Sequence, residues 1–175
     1  RELGRTYEQL GDDDNARANF IKAIQLDPDD LIAIERLAVL HLSAKRYAES
    51  EKLLKHALTL DNSNPAFYTL LGTLYVQSER PAHALDIWQR ASEREPQNGV
   101  YHRERARAHL QMGQLEDAKQ ALALAERFTI VDPEVHFLKG QVLEGLGNLN
   151  LAARSYAFAI ENNAHNLQFH HALAQ

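Results

Sequence analysis

Residues 11–16 read GDDDNA, and three consecutive aspartates raise the chemistry of a bound calcium or magnesium ion. A calcium loop, however, alternates its oxygen ligands and closes on a bidentate Glu. Asp12, Asp14 and Ala16 break that alternation. The sequence predicts a helix start instead, with Asp13 and Asp14 capping orphan N–H groups and complementing the helix dipole. The nine histidines are the next candidates, because imidazole is both a metal ligand and a general base. His102, His136 and His170 recur at one fixed interval. Packed helices lie roughly 8–10 Å apart, whereas zinc holds its nitrogens at about 2 Å. A polar aromatic filling a packing slot is therefore expected there, and no metal site. His170 and His171 are adjacent and diverge by about 100° on a helix. GLGNLN, residues 145–150, lacks the third glycine and the preceding strand of a dinucleotide loop. The sequence also carries no HExxH, GxSxG or GxxxxGK[ST] motif and no cysteine. It predicts no catalytic residue and no cofactor.

The stretch HRERARAH, residues 102–109, is the one locally basic segment. Arg103 and Arg107 are four apart and share a helix face, with Glu104 partly offsetting them. Two readings stand side by side: a solvated face, or a patch that grips a carboxylate of a partner. The net charge of −5 argues against a sequence-independent nucleic-acid binder, which needs a basic surface to displace counterions.

These residues are positioned by a period of 34 that runs through the chain. Frames start at Leu31, Pro65, Gly99, Pro133 and Leu167, and residues 1–30 form a first frame that lacks its opening positions. The eighth slot holds Gly4, Ala38, Gly72, Ala106, Gly140 and Ala174, and the twentieth Ala16, Ser50, Ala84, Ala118 and Ala152. The twenty-seventh is alanine throughout, at 23, 57, 91, 125 and 159, and the twenty-fourth is large: Phe20, Leu54, Trp88, Leu122 and Tyr156. Within each half-frame these slots recur at helical spacing, so each frame predicts two antiparallel helices packed small against large. Asp30, Asn64, Asn98, Asp132 and Asn166 close the frames as caps for the next helix. Gly11, Gly113 and Gly147 share the fifteenth slot, where a left-handed residue ends a helix.

LGRTYEQLG…ARANFIKAIQLDP (3–28) and LGTLY…ALDIWQRASEREP (71–96) resemble tetratricopeptide repeats. The resemblance implies an all-α fold, a right-handed α-solenoid superhelix of antiparallel helix hairpins. It implies a single domain over 1–175, with repeats 1–30, 31–64, 65–98, 99–132 and 133–166 and a partial sixth repeat or capping helix at 167–175. Departures from the family pattern are the slot-four residues Ile34, Tyr68, His102, His136 and His170, together with Arg105 and Ile130.

The same resemblance implies a concave groove lined by first helices and binding a protein or peptide. Its positions here are Ile32, Glu35, Arg36, Val39 and Leu42, then Thr69, Thr73, Val76 and Gln77. Arg103, Arg107, Leu110 and Gln111 follow, and then Phe137, Gln141 and Glu144. Phe137 reads either as a groove hot spot or as packing against a neighbouring repeat. A clamp for chaperone tails is disfavoured, because Arg1, Arg5 and Arg36 are followed by Ala66 and Leu70 where the family's clamp has polar residues. The expected function is a noncatalytic interaction scaffold that assists complex assembly; the alternative is a substrate-recruiting module of a larger enzyme such as a transferase. Neither nucleic acid nor membrane insertion is expected, since no apolar run approaches the roughly 18 residues of a span. Absence of cysteine fits cytoplasm and periplasm equally, and self-association through exposed terminal helices is left open.

Overall fold

The computed structural model describes residues 1–163, so the expected helix at 167–175, His170, His171 and the Asn166 cap lie outside the described residues. Among the described residues there are ten helices and no strand. They are α1 (Glu2–Gln9), α2 (Asp13–Leu26), α3 (Leu31–Ser43), α4 (Tyr47–Leu60) and α5 (Pro65–Gln77), then α6 (Pro81–Arg94), α7 (Gly99–Gln111), α8 (Leu115–Phe128), α9 (Pro133–Gly145) and α10 (Leu149–Asn162). Two compact units divide the chain at residues 79 and 80. In the first, α1 to α5 pack each on the next and α3 also touches α5. In the second, α6 to α10 do the same and α7 also touches α9.

Punctuation follows from the termini each helix must satisfy. Asp30, Asn64, Asn98 and Asp132 each accept backbone N–H groups at the start of α3, α5, α7 and α9. Gly11, Gly113 and Gly147 take φ of 74°, 72° and 77° at helix ends, which costs a glycine nothing. The second and third frames place Lys45 and Glu79 in that left-handed slot, both at φ 56°. A side chain there carries a steric cost that the other frames avoid.

Packing inside the α1–α2 and α9–α10 hairpins is a volume exchange between slots eight and twenty-four. A Cβ on Gly4 would stand 2.9 Å from Phe20 Cε1, and one on Gly140 would stand 2.8 Å from Tyr156 Cζ. Where the large residue is only Leu, at 54 and 122, the small one is Ala38 or Ala106. Phe20 and Leu54 have no solvent exposure, and burying such a side chain stabilises by about 1.5–3 kcal/mol. Ser50 stands in a column of alanines because its hydroxyl donates 2.8 Å to the Ala38 carbonyl, leaving no buried polar atom uncompensated.

Candidate functional site

The basic segment of α7 is not a free patch. Arg103 Nη1 donates to Asp132 Oδ2 at 2.6 Å, and its Nε and Nη2 reach Glu104 Oε1 at 3.0 and 2.9 Å. Arg107 Nη1 donates to Glu104 Oε2 at 2.7 Å and Nη2 to Glu134 Oε1 at 2.7 Å. Glu104, 8% exposed, is thus held on both oxygens by the two arginines flanking it. Burial opposes the charge of Arg103, yet the Glu104 and Asp132 carboxylates outweigh it and hold the guanidinium pKa above its ordinary value. The arginines are thus paired within the chain rather than forming a wholly solvated face, with side chains still 22% and 28% exposed.

Glu104 counted only as a partial offset in the sequence, and Asp132 and Glu134 were not seen as partners at all. A signal was present for Asp132. Arg1 Nη1 meets the Asp30 cap at 3.5 Å, the same 29-residue separation as Arg103 and Asp132. In the two intervening frames the slot-five residue is Glu35 or Thr69, and the cap is Asn64 or Asn98. The cap carries a charge only where an arginine stands opposite it.

In the first unit Val39, Leu42 and Gln77 come together with Ser43, Lys45 and Tyr47 around an open depression of about 570 Å³. Val39 and Leu42 supply its apolar lining, and Lys45, Tyr47 and Gln77 add an ammonium, a phenol and an amide. Glu35 and Arg36 are half-buried nearby on α3, and Arg36 Nη1 lies 3.6 Å from Glu8 Oε1. Ile32 is exposed, Thr69 is exposed with its hydroxyl donating 3.0 Å to the Pro65 carbonyl, and Thr73 and Val76 are half-buried.

In the second unit Phe137 is buried, its ring 5.7 Å from that of Tyr156, in a cluster with Ala152 and Ala159. These contacts lie within Phe137's own hairpin. Glu144 is exposed and accepts the Tyr156 hydroxyl at 2.6 Å, and burial followed by that carboxylate pushes the phenol pKa up. Gln111 is exposed, and Leu110 and Gln141 are half-buried.

Of the histidine column, His102 and His136 fill packing slots. His102 Nε2 bonds to the Pro96 carbonyl at 2.8 Å and stacks on Phe128 at 5.7 Å, while His136 lies 4.0 Å from the Phe158 ring. Tyr68, one frame earlier than His102, donates from its hydroxyl to the Asn62 carbonyl at the same sequence separation. The aspartate run opens α2 as expected, but the cap is Asp12: Oδ1 accepts from the Asn15 N–H at 3.1 Å and Oδ2 from its amide at 2.7 Å. Those bonds, the side-chain one first, hold the Asp12 carboxyl below its usual pKa. Asp13 and Asp14 occupy the first turn without capping it.

The profile of the tetratricopeptide repeat family matches residues 7–74, 41–103 and 75–142, well over half of the chain. Among curated proteins, anaphase-promoting complex subunit 3 of Schizosaccharomyces pombe is 23% identical over 149 residues. That alignment covers 83% of this chain and 22% of the relative, so the chain spans about a fifth of the curated protein it matches. Among solved structures, a tetratricopeptide repeat protein of Parabacteroides merdae superposes with a TM-score of 0.89 at 14% identity, over 99% of this chain and 69% of the other. YrrB, described as having an unusual peptide-binding site, superposes at 0.80 with 20% identity, over 98% and 89%. At these identities the likeness establishes the α-solenoid fold. Among the described residues no helix is long and apolar enough to cross a membrane.

Proposed function

Because the chain belongs to the tetratricopeptide repeat family, we propose that it is a noncatalytic scaffold that binds a peptide or helix of a partner protein and assists assembly of a complex. The observation that carries this reading is the depression in the first unit, where Val39, Leu42 and Gln77 converge with Lys45 and Tyr47. A lining that joins two aliphatic side chains with a few polar groups suits a partner side chain of mixed character, desolvating its apolar part while the polar groups orient it. Arg103 and Arg107 enter this reading as a self-contained ion network that stiffens α7 against α9. Phe137 enters it as a packing residue of the α9–α10 hairpin in the second unit. Val39→Glu places a carboxylate in the lining without disturbing a fully buried side chain, since Val39 is half-buried. Affinity capture with the full-length protein should lose its partner in this variant while circular dichroism stays unchanged. Recovery of the same partner in equal yield would refute the assignment of this surface.

A second reading, the substrate-recruiting module of a larger enzyme such as a transferase, draws on the 22% of the curated relative that the chain spans. A catalytic domain encoded in the same full-length gene would favour it, and a gene composed of repeats alone would remove it.

A further inference from the structure

We propose that Arg17, His41 and Arg46 form an oxyanion site in the first unit, recognising a phosphate or carboxylate group by charge-assisted hydrogen bonds. The repeat itself supplies the geometry. The residue in slot eleven of a frame faces slot twenty-one of the preceding frame, as Tyr75 shows by donating to Glu51 Oε1 at 2.9 Å. It also faces slot sixteen of its own frame, as His109 Nδ1 shows in its 2.7 Å bond with Gln114 Oε1. Shifted by whole periods, those positions are Arg17 and Arg46 around His41. Elsewhere one of the facing residues supplies an acceptor oxygen; here all three can present donors. Backbone geometry joins two of them, since the Arg46 N–H closes the end of α3 on the His41 carbonyl at 2.8 Å.

Four side-chain nitrogens of this cluster, Arg17 Nε, His41 Nδ1 and Arg46 Nε and Nη2, are buried and have no hydrogen-bond partner among the described residues. Buried donors in a folded protein are ordinarily paired, and a cationic fork pays the largest penalty when it is not. The carboxylates nearby do little to relieve this. Asp14 meets Arg17 Nη2 at 3.0 Å but is itself almost fully exposed, and Glu49, whose charge acts on His41, is exposed on the first turn of α4. Burial, and then the charges of Arg46 and Arg17, hold the His41 pKa below its ordinary value. An oxyanion among the three groups would answer the donors and reverse that shift.

The test titrates the protein with sodium phosphate and, separately, sodium acetate against sodium chloride of equal ionic strength, following the His41 imidazole by NMR. A saturable response to phosphate or acetate, with a raised His41 pKa, is expected, and the more effective ion identifies the group recognised. Arg46→Met should weaken that binding about tenfold or more, the loss of a charge-assisted bond. Because that variant could also disturb folding, Arg17→Glu provides a second arm. It installs in the first frame the carboxylate that Glu51 supplies in the second, so it should raise the melting temperature and abolish the anion response. No response beyond that to chloride, or a response that survives both substitutions, overturns the proposal.

Discussion

Gly140→Ala tests the packing logic of the hairpin at its tightest point. A Cβ on Gly140 would lie 2.8 Å from Cζ of Tyr156, with Cε1 and Cδ1 closer still. The ring has little room to retreat, being held by a 2.6 Å hydrogen bond to Glu144 and by Phe137 alongside it. Overpacking of this kind costs about 1–3 kcal/mol, and the confinement of the ring places the cost near the upper end. Against it stands a gain of about 0.8–1 kcal/mol in helix propensity on replacing a mid-helix glycine. The net expectation is a loss of roughly 1–2 kcal/mol. In a Tyr156→Leu background the pair becomes Ala with Leu, the combination found at Ala38 with Leu54 and at Ala106 with Leu122. There the same substitution should be neutral or stabilising by up to about 1 kcal/mol, giving a coupling of about 1–3 kcal/mol between the two sites. Urea unfolding of the four proteins, followed by circular dichroism, measures this cycle. A Gly140→Ala protein as stable as the parent, or effects that simply add, would refute the close-approach account.

Glu79→Gly, and Lys45→Gly likewise, should stabilise by roughly 0.5–1 kcal/mol, because removing the side chain at φ 56° relieves more strain than the added chain entropy costs; a lower urea midpoint would contradict this. Asp132→Ala removes both the α9 cap and the Arg103 partner and should cost more than Asp132→Asn, which can keep the cap worth about 1 kcal/mol; equal losses on thermal unfolding would show that the Arg103 pairing alone matters. Burial lowers the His136 pKa in the fold, opposed by Glu126 and Asp132 and aided by Lys139. The unfolded chain therefore takes up the proton more readily, so His136's contribution is complete above its ordinary value of 6.5 and is lost as pH falls below it. His136→Phe should flatten the decline in melting temperature between about pH 7 and 5, and an unchanged profile would locate the dependence elsewhere.

Much of the hairpin architecture was legible because it is local and repeated. Small residues three or four apart mark a close-packed helix face, and a cap or a left-handed glycine marks an end, whatever the rest of the chain does. The fate of Arg103 and Arg107 was not legible in the same way. Their spacing on one face and their bonds to Glu104 belong to one helix, but the other two carboxylates that occupy them, Asp132 at the N-cap of α9 and Glu134 in its first turn, arrive from beyond an intervening helix. Phe137 shows the same division: periodicity places it on the first helix of its frame, while the position of Tyr156 decides that it is buried.

Sequence by itself thus determined the family, the helix pairs, the caps of α3, α5, α7 and α9, and the columns of small and large side chains. Each of these follows from local geometry multiplied by a 34-residue period. Tertiary structure alone decided which charges neutralise one another and which donors face each other without an acceptor. It also decided which of the first-helix residues converge on a depression. Those outcomes depend on side chains from different helices meeting in space, and electrostatic and packing energies are set by that separation in ångströms.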